Sequence, residues 1–289
     1  MLVNPSIKGA ALMSLCTACY VVSDVFMKYV SREIDLYQIT FLRGFIVTLI
    51  LLVFCFILKV SLKIPSNKDK IIILVRSVFE VLMIYSFLTA LFNMNIANAN
   101  AVLQLIPLVV LFGSFLFLGK QLKQNEIIAV LFGLIGAIIV IRPGASDFNF
   151  YSIFALLAVA SMSVRDLVTV NLNKKIPSLL VAFYSSLLIT IVSFLLSSEK
   201  VGFMELKNPM FIFYSAVLVS IGYIAAVAAM RFGEVTFVSP FRYTALLWAI
   251  VLGFLFFSEI PKLTTIFGGL IIIFAGIYLV YNEKNKVYL

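Results

Sequence analysis

The chain has 289 residues, of which 63% are hydrophobic and 12% charged, and its mean hydropathy is +1.14. Soluble domains are roughly 45–50% apolar, so this composition excludes a soluble globular protein and points to one embedded in a bilayer. The net charge of +9 does not signal nucleic acid, because the lysines and arginines lie mostly at the ends of apolar runs and no basic face can be drawn through them.

Apolar runs of about 20 residues, the length that crosses the hydrocarbon core, fall near 8–29, 37–58, 71–92, 96–118, 124–142, 150–171, 179–197, 210–231, 236–258 and 263–281. The sequence therefore predicts an all-α integral membrane protein with ten transmembrane helices. The connections leave no room for a soluble domain. An even number of spans puts both termini on one side. Twelve lysines and arginines then lie at span ends on that side, among them Lys8, Lys59, Lys63, Lys120 and Lys175, against six on the other. That bias predicts cytoplasmic N and C termini in a bacterial-type inner membrane. The first span, with Asp24 inside it and no small-residue cleavage site, is expected to stay in the mature protein.

In chain order, the first span holds Cys16 and Cys19, and Cys55 follows in the second. With no histidine and no second cysteine pair, these thiols read as helix-packing residues, so neither a metal nor any cofactor is expected. Asp24 in the first span and Arg43 in the second fall at similar depth and are expected to form an ion pair or a gate, with Asp24 as a cation contact the sharper alternative. In the third span Arg76 and Glu80 are spaced i,i+4 and share a helix face. A charge inside the bilayer costs about 2.5–3.5 kcal/mol, so Glu80, near mid-membrane, is expected to face protein or solute. It is the deepest carboxylate and the expected proton carrier if transport is proton-driven.

The start of the fourth span is rich in amides: Asn95, Asn98, Asn100 and Gln104, followed by Pro107. Amides donate and accept without the desolvation penalty of a charge, so Asn98, Asn100 and Gln104 are candidate solute contacts, with interhelical hydrogen bonding the alternative. The fifth and tenth spans are almost wholly apolar and read as lipid-facing or packing supports. The sixth carries Arg165 and Asp166, which as neighbours on a helix point in different directions and each need another partner. Asp166 with Arg242, and Glu80 with Arg165, are the sensible pairs. Tyr223 in the eighth span and Tyr243 in the ninth are candidate cavity residues, since a buried hydroxyl wants a partner.

The ninth span, TFVSPFRYTALLWAIVLGFLFFSEIP, carries Pro240, Arg242 and Tyr243 in its first third. Pro240 has no N–H to give the carbonyl of Thr236, which predicts a turn opened towards a cavity; a proline that merely starts the helix is the alternative. Arg242 is then a natural clamp for a carboxylate. A shift of 140 residues superimposes Gly113 on Gly253 and Gly136 on Gly276, so the chain reads as two copies of one unit, 1–145 and 146–289. Five spans per copy is an odd number, which makes the second copy run upside down relative to the first, with a site near the midplane between them.

NANAVLQLIP from Asn98 to Pro107, continuing through LFLGKQLKQNEIIAVLFGLIGAIIVIRPG, resembles the first repeat of EamA-type carriers of the drug/metabolite transporter superfamily. VSPFRYTALLWAIVLGFLFFSEIP resembles the counterpart in the second repeat, and Phe41-Leu42-Arg43 the motif of the family's second helix. The resemblance implies two inverted five-helix repeats around a cavity lined by the first four helices of each. Lys120 departs from it, standing near where the first repeat usually has a glutamate, whereas Glu259 keeps that glutamate in the second.

The function expected is secondary-active transport by alternating access, without ATP, because no G-x-x-x-x-G-K-[ST] loop exists. An intramembrane enzyme acting on a lipid or membrane-embedded substrate is the alternative. Against it stand the absence of histidine, of H-E-x-x-H and of G-x-S-x-G. Seven charges lie inside spans, four arginines and three acids, a balance suited to a zwitterionic or carboxylate-bearing solute such as an amino acid or its derivative. The family resemblance keeps S-adenosylmethionine-like molecules within range. The partners expected are that solute, membrane lipid and a coupling proton or exchanged solute, with a second copy of the chain admissible.

Overall fold

The computed structural model describes residues 5–64, 66–93, 102–121, 123–141, 150–197, 207–257 and 263–285, and among them the regular structure is entirely helical. The long helices are α1 (Pro5–Val30), α2 (Leu36–Ile57), α3 (Asn67–Asn93), α4 (Ile106–Leu118), α5 (Gln124–Ile141), α6 (Ser152–Val170), α7 (Ser178–Leu196) and α8 (Pro209–Phe232). A four-residue helix α9 (Val235–Val238), a 3-10 turn (Ser239–Tyr243), α10 (Thr244–Phe257) and α11 (Leu263–Asn285) follow. Six of these, α1, α2, α3, α6, α7 and α8, are long and apolar enough to cross a membrane, and Ile106–Leu118, Gln124–Gly136 and Ile266–Ala275 are shorter apolar stretches.

Local chemistry sets the helix ends. Asp35 caps α2, its carboxylate accepting from the backbone N–H of Tyr37 at 2.7 Å and of Gln38 at 2.9 Å. Gly119 ends α4 in the left-handed region at φ 61°, where the N–H groups of Gly119 and Lys120 both donate to the carbonyl of Ser114. The predicted span 96–118 shortens within the described residues to a helix from Ile106. Pro107 sits in its first turn, where its missing N–H costs nothing.

The bundle faces its surroundings with large apolar side chains: Phe117 is 80% and Leu195 75% exposed. A water-soluble surface would not carry such a belt, and lipid accepts it. The most extensive packing pairs are α1 with α8, α3 with α6, α2 with α7 and α5 with α11. Exchanging each helix of the first half with its counterpart in the second, α9 to α10 counted as one span, turns α1/α8 into α6/α3 and leaves α2/α7 and α5/α11 unchanged. The α5/α11 pair lies at the periphery, with Phe132, Ile135, Phe267 and Phe274 exposed, as the apolar character of the fifth and tenth spans predicts.

Small residues let helices approach where polar groups meet. A Cβ on Gly222 would come within 2.5 Å of the Tyr20 ring, so its absence seats Tyr20 of α1 against α8. On α2 and α7, Thr48 shares hydrogen bonds with Ser186 at 3.2 Å and Thr190 at 3.0 Å. Gly222→Val is expected to force Tyr20 aside and to lower stability by about 1–3 kcal/mol, the usual cost of overpacking. A fall in the thermal midpoint of the purified protein, partly restored by Tyr20→Ala, checks it.

Candidate functional site

A cavity lies between α1, α2, α3, α4, α6, α8 and the 3-10 turn, with about 810 Å³ of atom-free space when its mouth is included. Its polar wall comprises Thr17, Tyr20, Ser23, Asp24, Arg43, Gln104, Tyr223 and Arg242; apolar side chains such as Ile84, Phe87 and Val219 complete it. Tyr20 and Tyr223 meet edge to face, centroids 6.0 Å apart. The Tyr20 hydroxyl is buried with no hydrogen-bond partner among the described residues.

Beside this cavity runs a chain of buried ion pairs. The Arg165 guanidinium donates to Glu80 Oε1 at 2.7 Å and, through Nε and Nη2, to Asp166 Oδ1 at 3.0 and 2.9 Å. Arg76 Nη2 lies 3.2 Å from Glu80 Oε2, close enough to attract although outside hydrogen-bond geometry. Arg76 also donates to Thr169 Oγ1 at 3.1 Å and to the Ser185 hydroxyl. At the other end Arg242 donates to Asp166 Oδ2. Arg242 Nη1 points at the Met162 sulfur, 3.7 Å away, and its Nε has no partner among the described residues. Three guanidiniums against two carboxylates leave the chain one positive charge in excess, and Arg242 carries it to the cavity wall.

The broken ninth span explains how Arg242 gets there. Pro240 lies in the first turn of the 3-10 segment, which packs against α1 and sets Arg242 against Met162 and Asp166 of α6 instead of on a continuous helix face. Thr244, just after the turn, shares a 2.8 Å hydrogen bond with Thr17 of α1.

The EamA-like transporter family matches residues 7–142 and again 149–282. The chain belongs to this family. Among its relatives, the S-adenosylmethionine uptake transporter of Rickettsia felis is 26% identical over 284 residues, covering 96% of this chain and 94% of that one. The pseudopaline exporter CntI of Pseudomonas aeruginosa is 25% identical over 279 residues, 96% and 97% of the two chains, and the riboflavin transporter of Vibrio cholerae is 26% identical over 215 residues, 74% and 72%. A solved crystal structure 16% identical in sequence superposes with a TM-score of 0.74 over 95% of this chain and 94% of the other, a likeness of fold. The protein is thus an integral membrane metabolite transporter.

In this EamA-family transporter the predicted site residues divide into groups. Gln104, Tyr223, Arg242, Asp24 and Arg43 line the cavity. Glu80 and Arg165, expected at the solute, lie off the wall, at most 1% exposed and locked in the ion-pair chain. Tyr243 turns away, its hydroxyl donating to the Val130 carbonyl at 3.1 Å. Asn95, Asn98, Asn100 and Glu259 lie outside the described residues. The pairs Arg76–Glu80, Glu80–Arg165 and Asp166–Arg242 all form. Two expectations need correction. Arg165 and Asp166 do face each other, because the long guanidinium stem folds back along the helix to its neighbour's carboxylate. Asp24 and Arg43 make no ion pair within 4 Å; both open onto the cavity that separates α1 from α2. Sequence reasoning missed Ser185 and Thr169, hydroxyls that acquire meaning only when Arg76 reaches them.

Asp166→Asn leaves Arg165 and Arg242 without their shared carboxylate and is expected to cost about 3–5 kcal/mol of stability. Asp24→Asn, which breaks no ion pair, is expected to leave the thermal midpoint near the wild-type value. Comparing midpoints of the purified variants, with Asp166→Asn/Arg242→Gln recovering part of the loss, checks the role of the chain.

Proposed function

We propose that this protein is a secondary-active carrier of a carboxylate-bearing, zwitterionic metabolite, an amino acid or an amino-acid derivative of the S-adenosylmethionine kind. Arg242 binds the solute carboxylate. The observation that carries this reading is the excess positive charge of the ion-pair chain, brought to the cavity wall on a guanidinium whose Nε is unpaired among the described residues. A planar guanidinium in a dry site is suited to a carboxylate, since its fork offers two parallel donors. Gln104 and Tyr223 flank the solute, and Asn98 and Asn100 are proposed as further contacts to it. Glu80 and Arg165 act by holding the floor. The name of the Rickettsia relative, an S-adenosylmethionine uptake transporter, supports this class of solute.

Transport proceeds by alternating access between two inverted five-helix repeats, 1–145 and 146–289, in ten spans. The two family matches and the interchange symmetry of the packing pairs support this arrangement. The membrane is a bacterial inner membrane and both termini are cytoplasmic.

Purified protein in liposomes is expected to take up a member of a pool of amino acids, their S-adenosyl derivatives, nucleosides and vitamins without ATP. Uptake of none, or of uncharged nucleosides alone, overturns the solute class. Arg242→Lys is expected to insert normally yet raise the apparent substrate constant about tenfold to a hundredfold, the worth of a lost charged hydrogen bond. Asp166→Asn/Arg242→Gln should regain folding and not transport; regained transport removes Arg242 from the site.

For the topology, reporters fused after Lys68 and after Asn282 are expected to read cytoplasm, and one fused near residue 200 the external side. An external signal at either of the first two positions overturns the orientation.

A further inference from the structure

Among the described residues, three carboxylates stand well inside the spans, away from the helix ends: Asp24, Glu80 and Asp166; their surroundings differ in kind. Glu80 is held by Arg76 and Arg165, and Asp166 by Arg165 and Arg242. Asp24 has no hydrogen bond and no cation within 4 Å among the described residues, and it forms part of the cavity wall. An ionised carboxylate inside a membrane protein is costly unless a counter-charge or a donor reaches it. Glu80 and Asp166 have that compensation built in. Asp24 does not, so its compensation comes from whatever occupies the cavity.

The neighbours of Asp24 define what fits. Arg43 of α2 acts on it across the cavity without contact. From α8 Tyr223 faces the same space, and from the 3-10 turn Arg242 does; α9 and α10 hold no titratable residue, while on α1 itself Tyr20 lines the wall and Lys28 follows one turn on. Tyr20 and Tyr223 therefore supply two aromatic rings to a space that also holds an unpaired carboxylate. Aromatic faces beside a carboxylate suit a cationic group such as an ammonium or a sulfonium. We propose that Asp24 is the cation-binding pole of the cavity and that the solute's cationic group and a proton occupy its carboxylate in turn, which couples solute movement to proton movement in the opposite direction. This rests on the zwitterionic solute class proposed above, and it moves the proton-carrying role from Glu80, whose carboxylate is already engaged by Arg76 and Arg165, to Asp24.

The cycle balances without a further reactant. With the cavity open to one side, a proton taken up by the Asp24 carboxylate neutralises it and releases the cationic group. With the cavity open to the other side, the solute's cationic group binds as the carboxylate gives up its proton there. One proton crosses for each solute carried the opposite way.

Two measurements test this. The first needs no solute: infrared difference spectra of the purified protein in lipid nanodiscs, titrated between about pH 5 and pH 9, the range around neutrality in which carboxyls with strongly shifted pKa titrate. A carboxylic C=O band that titrates in the wild type and in Glu80→Gln and is lost in Asp24→Asn is expected. A wild type without such a band, or a band that persists in Asp24→Asn, overturns the proposal. The second uses S-adenosylmethionine and L-methionine as probes of binding to the same nanodiscs. On the acid side of the midpoint, competition by one proton weakens binding about tenfold per pH unit. Asp24→Asn is expected to bind weakly with no such slope, and Asp24→Glu to keep it. A slope unchanged in Asp24→Asn also overturns the proposal. If neither probe binds the wild type and the liposome pool gives no uptake, the solute class itself fails, an outcome distinct from a bound probe whose pH slope ignores Asp24. Should Asp24→Asn fail to fold, Asp24→Glu and the wild-type spectrum decide: a wild type with no titrating band, or binding with no pH slope in either protein, refutes it.

Discussion

The structure depends on a rule of bilayer electrostatics: a charge removed from water must find its counter-charge inside the protein. The chain Arg242–Asp166–Arg165–Glu80–Arg76 satisfies that rule across the 3-10 turn, α6 and α3, and its last arginine reaches α7 through Ser185. No single helix could be inserted comfortably with its own charges, yet together they form one bonded line. Removing one member leaves a buried charge behind, so the helices are tied to a single mutual arrangement. The excess positive charge cannot be cancelled within the line, and it surfaces where Arg242 meets the cavity.

That delivery requires a break in the ninth span. A continuous helix would complete the turn at Thr236; Pro240 forbids it, and the 3-10 turn that results sets Arg242 against Asp166 on one side and the cavity on the other. Thr17 and Thr244 then join α1 to the start of α10 just beyond the turn. A transporter gains by this, because non-helical backbone in a membrane is tolerated only where protein or a solvated cavity covers it, and such places are where solutes are met.

The two halves of the bundle use equivalent positions differently. An offset of 142 residues sets Ser23-Asp24 on Arg165-Asp166 and Arg43 on Ser185. Where α6 meets α3 the partners are guanidiniums and carboxylates; where α1 meets α8 they are the hydroxyls of Ser23 and Ser215, 2.6 Å apart. The α3/α6 contact is therefore closed by charge, and the α1/α8 contact carries a hydroxyl bond while Asp24 and Arg43 stand apart on the cavity. The cavity runs along the later turns of α1 and α3.

Much of this was fixed by the one-dimensional pattern. Hydropathy alone determines a membrane protein of many spans, because apolar runs near 20 residues have no other stable solvent, and the i,i+4 spacing of Arg76 and Glu80 determines that pair. Pro240 announces the break beside Arg242. Partners far apart in sequence, Glu80 with Arg165 and Asp166 with Arg242, were legible as charges that each needed an opposite. What the sequence left undecided is which of several similar charges faces the cavity. Glu80, Arg165 and Tyr243 look as suitable as Asp24 and Arg242 when read along the chain, and the amides of the fourth span look better than either. Only the packing of α1 against α8 and of α3 against α6 decides it. A side chain's role depends on which neighbour lies within about 3–4 Å to share its hydrogen bonds. That distance is a property of how helices cross, to which spacing along one helix is blind.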